Sequence, residues 1–130
     1  MSYLFDTNAL LGIIRKRRDN ILGQYILDLT IYEIGNVIWK EVVLFKSLKN
    51  DEAKLLLEHL SNIIAKMNVI RISAADAAGI LEISINKRIT FYDAAYLYFA
   101  KKMNLILVTN DQKLYNTAKD LVKVLRSDEI

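Results

Sequence analysis

Thr90-Phe91-Tyr92-Asp93-Ala94-Ala95-Tyr96-Leu97 and, after it, Leu105-Ile106-Leu107-Val108-Thr109-Asn110-Asp111 decide how this chain folds. The first segment opens a helix over residues 91–102. The second is an apolar strand over 105–108 that stops at a polar turn. A helix that leads into a strand of an α/β unit runs antiparallel to it. The start of the helix therefore lies beside the end of the strand, which places Asp93 and Asp111 on one edge of a sheet.

The same argument reaches two more acids. Residues 2–5 form a short apolar strand that stops at Asp6-Thr7-Asn8, and a helix follows over 9–14. A strand over 24–29 leads into a long helix over 30–46 with Glu33 in its first turn. A helix over 51–67, a strand over 68–72 and a helix over 73–86 come next, and 111–120 and 122–125 supply the last helix and a short edge strand. Strands alternating with helices predict an α/β fold with a parallel sheet covered on both faces. The long helix is apolar nearly all round: Ile34, Val37, Ile38, Val42 and Phe45 on one side, Trp39 and Val43 on the other. One face meets the sheet. The other needs a partner, either the stripe Leu55, Leu56, Leu60, Ile63 and Ile64 of the next helix or another subunit.

A chain of 130 residues is one domain, 1–130, long enough to bury a sizeable core. It contains no Cys, which excludes disulfides, thiolate metal sites and a thiol nucleophile. No signal-peptide pattern opens it and no apolar run is long enough to span a bilayer, so a cytoplasmic protein without a membrane partner is expected. The net charge of +3 suits a nucleic-acid ligand without requiring one.

Each acid has an ordinary reading as well. Thr30-Ile31-Tyr32-Glu33 and Thr90-Phe91-Tyr92-Asp93 both fit the capping-box pattern, and Asp6 and Asp111 fit plain N-caps. Taken singly, each is better read as a cap. What favours chemistry is the shared edge, because ligands of open parallel sheets bind at the strand ends. Ser73-Ala74-Ala75-Asp76 follows the third strand in the same way, so the topology also collects Asp76. Carboxylates crowded on one edge repel unless a cation sits among them. Mg2+ or Mn2+ held by carboxylates activates water and neutralises phosphate charge, which is what phosphodiester hydrolysis needs. Asn8 and Thr109 can orient ligands or waters around such an ion. His59, the only His, sits mid-helix among leucines and reads as a surface residue.

These segments resemble the motifs of the PIN-domain nucleases. Leu4-Phe5-Asp6-Thr7-Asn8 resembles their opening motif, and Thr30-Ile31-Tyr32-Glu33 with Asn36 the second. Tyr92-Asp93-Ala94-Ala95-Tyr96-Leu97 with Ala100 resembles the third, and Thr109-Asn110-Asp111-Gln112-Lys113-Leu114 the fourth. The likeness spans essentially the whole chain, in order. It implies a PIN-like three-layer sandwich with a five-stranded parallel sheet of order 3-2-1-4-5, and a Mg2+- or Mn2+-dependent ribonuclease. It places Asp6, Glu33, Asp93 and Asp111 at the acidic metal positions, with Asn8 and Thr109 as supporting polar groups. Asp76 matches no metal position. A single-domain chain of this size is most similar to the VapC toxins of toxin–antitoxin pairs, which implies a homodimer held inactive by a small antitoxin in the acidic groove. Asn104 stands where many members have Gly before the fourth strand, and Asn tolerates the left-handed turn that position requires.

Among the basic residues, Lys87 and Arg88 precede the Asp93 helix and are the better candidates for RNA phosphate contacts. Arg15, Arg17 and Arg18 leave the first helix at its far end, where a solvated, dipole-favoured helix terminus explains them equally well. Lys101-Lys102 reads as a helix C-terminus. Tyr92, Tyr96, Tyr98 and Phe99 fill a core or a dimer surface more naturally than they stack on bases. Besides the ribonuclease toxin, three alternatives stay open: a PIN nuclease of RNA processing without an antitoxin, a non-catalytic interaction module, and a receiver-like or phosphatase-like domain. The last is weakened because Asp6-Thr7-Asn8 lacks the second Asp of a haloacid-dehalogenase signature.

Overall fold

The computed structural model describes residues 1–17 and 21–130; Arg18 of the basic run lies outside the described residues. Five strands, β1 (Tyr3–Phe5), β2 (Tyr25–Leu27), β3 (Asn68–Ile70), β4 (Ile106–Val108) and β5 (Val124–Leu125), form one sheet of order β3-β2-β1-β4-β5. Every pairing is parallel. Six helices cover it: α1 (Thr7–Arg15), α2 (Asp28–Val43), α3 (Asn50–Ile64), α4 (Ala74–Lys87), α5 (Phe91–Lys102) and α6 (Gln112–Ala118).

Apart from the exposed Asn68 that opens β3, the strands are apolar because successive side chains point to opposite faces and both faces are covered. Leu4, Leu27 and Leu107 enter one core with Ala94, Leu97 and Phe99 of α5 and Leu114 of α6. Phe5, Ile26 and Val108 enter the other with Leu10 and Ile13 of α1, Ile34 and Ile38 of α2 and Leu60 of α3. The result is the expected three-layer sandwich. Asn104 closes the α5–β4 turn with φ of 54°, the left-handed conformation the sequence implied there.

Several boundaries differ from the sequence reading. Strand β2 stops at Leu27, and α2 begins at Asp28, two residues before Thr30. Thr30 is therefore inside the first turn and fully buried, its hydroxyl facing Thr7 and Tyr96. The proposed Thr30–Glu33 capping box does not form, because that hydroxyl has partners across the fold. Helix α2 ends at Val43, so Phe45 lies beyond it and is exposed rather than buried. Leu55 of the expected α3 stripe also faces solvent.

Asp76, which the topology collected and the motif resemblance left out, stands apart from the other acids. The topology placed it at the strand-end edge with the other acids. Instead α4 and α5 form an antiparallel hairpin, and Asp76 accepts hydrogen bonds from Lys102 Nζ at 2.8 Å and the Tyr98 hydroxyl at 3.0 Å. Lys102 lies roughly 14 Å along α5 from Asp93, at about 1.5 Å per residue. Lys102 is thus one half of an ion pair and not merely a helix end. The Ser73 capping box does form, with both the Ser73 N–H and its hydroxyl donating to Asp76.

The Tyr98 ring leans on α4 at Gly79, where an added Cβ would stand 2.5 Å from the ring edge. The hydroxyl bond to Asp76 keeps that ring from moving away. Gly79→Ala should therefore destabilise the protein by about 1–3 kcal/mol despite the better helix propensity of Ala. Thermal unfolding would show a melting temperature lower by several degrees, and an unchanged or higher one would refute the contact.

Candidate active site

The site is built where β1 and β4 end side by side. Phe5 pairs with Val108, so Asp6 and Thr109 are the next residues out on adjacent strands. This is the point where the strand order reverses, the usual crevice of an open α/β sheet. Asp6 N-caps α1, accepting the Ala9 N–H on Oδ1 at 2.9 Å. Its Oδ2 takes a hydrogen bond from the Thr109 hydroxyl. That hydroxyl in turn accepts the Asp111 N–H at 3.1 Å. Asp111 caps α6 through the Leu114 N–H at 2.8 Å. The cap readings of Asp6 and Asp111 were therefore right, but each cap uses one carboxylate oxygen, and the second oxygen of Asp6 takes the Thr109 hydroxyl.

Glu33 comes from the opposite side, one turn into α2. The Thr7 hydroxyl donates to its Oε1 at 2.8 Å and the Tyr96 hydroxyl donates to the same oxygen at 3.1 Å. Thr30 completes the cluster, its hydroxyl 3.1 Å from that of Thr7 and 2.9 Å from that of Tyr96. Burial raises the Tyr96 phenol far above its ordinary range, so it stays a neutral donor. Asp93 stands in the first turn of α5, where the Thr90 hydroxyl accepts its N–H at 3.1 Å.

The four acids feel one another. Burial pushes Asp6 up from 3.8 to about 6, against the pull of its bonds to Thr109 and Ala9, and the charges of Asp111 and Asp93 push it further. Asp93 is raised too, first by burial and then by Asp111 and Glu33, with Lys113 opposing. Among the described residues the one ion pair is Lys102–Asp76, so none of the four has a cationic partner in contact. They share an edge without closing on a point: among the described residues, no three acid or His side chains are gathered tightly enough to grip an ion as they stand. Repulsion and the cap and hydroxyl partners account for that spacing. The donor set, carboxylate oxygens alone, suits a hard cation such as Mg2+ or Mn2+.

Asn8 is exposed at the start of α1 and lines an open groove of about 440 Å3 with Glu33, Asn36, Lys40, Tyr32 and Tyr92. Lys87, the last residue of α4, and Arg88, which caps it, are exposed just before the Asp93 end of α5. Arg15 is the last residue of α1 and Arg17 lies just past it, at the far end from Asp6, and Arg15 lines a separate groove against α2 and α3. The sequence reading missed the Thr7–Thr30–Tyr96 hydroxyl cluster and Lys40. Lys40 was findable, since it lies two helical turns after Glu33 on the same face of α2. The cluster joins three separate elements, which spacing alone does not reveal.

The PIN domain pattern matches residues 3–120, and the chain belongs to the PIN-domain family. It is 32% identical over 130 residues to Exonuclease VapC9 of Pyrobaculum aerophilum, covering 95% of this chain and 91% of that protein. It is 33% identical over 88 residues to Ribonuclease VapC3 of the same organism, covering 68% of this chain and 66% of that one. The crystal structure of PAE2754 from P. aerophilum superposes with a TM-score of 0.78 at 29% identity, over 99% of this chain and 91% of the other. VapBC2 from Rickettsia felis, solved on a DNA fragment from its promoter, shares the fold with a TM-score of 0.68 at 19% identity, over 97% and 98% of the two chains.

The raised Asp6 makes a signed prediction. Asp6 titrates near 3.8 unfolded and near 6 folded, so the folded state holds its proton more tightly between those values. Its contribution is intact below pH 3.8 and is lost as pH rises through about 6, a loss on the order of 2–3 kcal/mol without metal. Asp6→Asn keeps an acceptor for the Ala9 N–H but no longer titrates. Urea unfolding in EDTA should show its stability relative to wild type rising between about pH 4 and 7; a pH-independent difference would refute the burial penalty.

Proposed function

We propose that this protein is a Mg2+- or Mn2+-dependent endoribonuclease, the toxin of a VapBC-type toxin–antitoxin pair. The observation that carries the reading is the set of four carboxylates, Asp6, Glu33, Asp93 and Asp111, on one sheet edge with no cation paired to any of them among the described residues. Family membership and relatives named exonuclease and ribonuclease support nuclease chemistry.

The four carboxylates are the residues that would hold the ion. A divalent cation bound there supplies an activated water and neutralises charge on the scissile phosphate. Thr109 fixes the Asp6 carboxylate, and Thr7 and Tyr96 fix that of Glu33, so neither swings freely when the charge around it changes. Asn8, on the groove wall, is placed to orient water or substrate. Lys40, which lines the groove, and Lys113, whose charge reaches Asp93, are cations that can take phosphates of the bound strand, with Lys87 and Arg88 before α5 as further candidates.

An antitoxin partner is supported by the shared fold of solved toxin–antitoxin complexes. The surface it would cover is the exposed apolar band of Trp39, Val43 and Phe45 with Leu55 on α3, which continues towards the acidic groove along α2. Leu81 and Ile85, exposed one turn apart on α4, support a homodimer. Among the described residues no helix is long and apolar enough to cross a membrane.

The test is cleavage of labelled linear and circular RNA by the purified, antitoxin-free protein in EDTA, Mg2+ or Mn2+. Cleavage of both forms is expected, only with metal, and Asp6→Asn and Asp93→Asn should reduce it to background. Tyr96→Phe, which removes one donor to Glu33, should lower activity roughly 10- to 100-fold. Cleavage of linear RNA alone would make the enzyme an exonuclease, as one relative's name has it. No cleavage with any metal would overturn the nuclease reading in favour of an interaction module.

A further inference from the structure

Beside the acidic groove lies a second, apolar cavity of about 200 Å3. The two share three walls, Leu29, Tyr32 and Tyr92, so they are one continuous surface divided by two tyrosines. Each tyrosine stands one residue before an acid of the site, Tyr32 before Glu33 and Tyr92 before Asp93. Tyr32 is 79% exposed and Tyr92 62%. Neither is core, which removes the core half of the core-or-dimer reading that helical spacing suggested for Tyr92. Among the described residues neither hydroxyl has a hydrogen-bond partner in the fold, in contrast to the buried Tyr96 of the same helix. Phe91 and Ile72 extend the apolar wall.

Besides the two tyrosine hydroxyls, the slot is lined by one charged side chain, Asp28. Its Oδ1 accepts the Leu29 N–H at 3.0 Å, which leaves the other oxygen as an acceptor. Resting on the ribonuclease reading above, we infer that Tyr32 and Tyr92 frame a slot for one unpaired nucleobase next to the scissile phosphate, with Asp28 accepting a hydrogen bond from its exocyclic amino group.

The chemistry singles out this occupant. Asp28 and the neighbouring Glu33 repel a phosphate, so the backbone does not enter the slot. Its volume is below the roughly 300–1,000 Å3 of pockets for drug-sized ligands, which suits a single ring system and not a helix. Exposed rings with a lone carboxylate match a flat π-face with an amino edge; carboxylates read cytosine through its N4 amino group in the same way. A base held in a duplex stays stacked, so the slot selects single-stranded substrates and splayed loops. Cytosine and adenine offer the amino group and uracil does not.

The experiment measures binding of short homopolymeric RNAs to the full-length Asp6→Asn protein in EDTA, by fluorescence anisotropy, with sedimentation in parallel. Oligo(C) and oligo(A) should bind more tightly than oligo(U). Tyr32→Ala and Tyr92→Ala in that background should weaken oligo(C) binding roughly 5- to 150-fold, while Tyr→Phe at either position retains it. Asp28→Asn, which adds an amide donor, should narrow the gap between oligo(C) and oligo(U). Unchanged affinity in the Ala variants overturns the slot. So does weaker binding accompanied by a change in sedimentation, which would assign the tyrosines to a contact with a second copy of the chain. Metal-dependent RNA cleavage by otherwise wild-type Tyr→Ala proteins with unaltered KM would remove the slot and leave the nuclease standing. Failure of the unsubstituted protein to bind or cut any RNA would remove both.

Discussion

Asp6 is a carboxylate buried at the end of the central strand with other carboxylates for neighbours, and the rest of the site depends on how that is tolerated. Two hydrogen bonds hold it: the Ala9 N–H at the start of α1 and the hydroxyl of Thr109 on the next strand. They do not offset burial, since its pKa still rises to about 6. A fold that keeps an acid in so unfavourable a place retains an electrostatic demand for positive charge there. No side chain in contact meets that demand among the described residues.

Asp76 shows the opposite solution within the same chain. It too is buried and heads a helix, yet Lys102, Tyr98 and Ser73 all donate to it. Those bonds hold its carboxyl well below the usual range. One acid is fully neutralised and ties α4 to α5; the other is left wanting a cation at the strand ends. The difference between a structural and a functional carboxylate lies in the partners, not in the local sequence, which is a capping pattern in both places.

The two sides of the site are anchored in different layers. Asp6, Thr109 and Asp111 hang on adjacent strand ends, where the β1/β4 ladder fixes their spacing. Glu33 depends on hydroxyls from α1, α2 and α5, so its position is set by how both helical layers pack on the sheet. That arrangement keeps the acids apart, and Glu33 is the one of the four that lines the open groove. It also puts Tyr32 and Tyr92, forced outward by their neighbours' inward turn, at the mouth of that groove.

The strand order came only through the resemblance of the motifs to a known family. The sequence by itself determined the α/β alternation, the acids at the ends of β1 and β4, and the left-handed turn at Asn104. These follow from local signals: apolar period, cap chemistry and backbone permissiveness act over a few residues. The α2 start was misread because Thr30 looks like a cap when only its neighbours are visible. Tertiary structure alone decided that Thr30 turns inward to Thr7 and Tyr96, and that Asp76 pairs with Lys102. Each of those outcomes is a contact between elements distant in the chain, and a side chain's choice between a local cap and a distant partner is settled only when the helices pack.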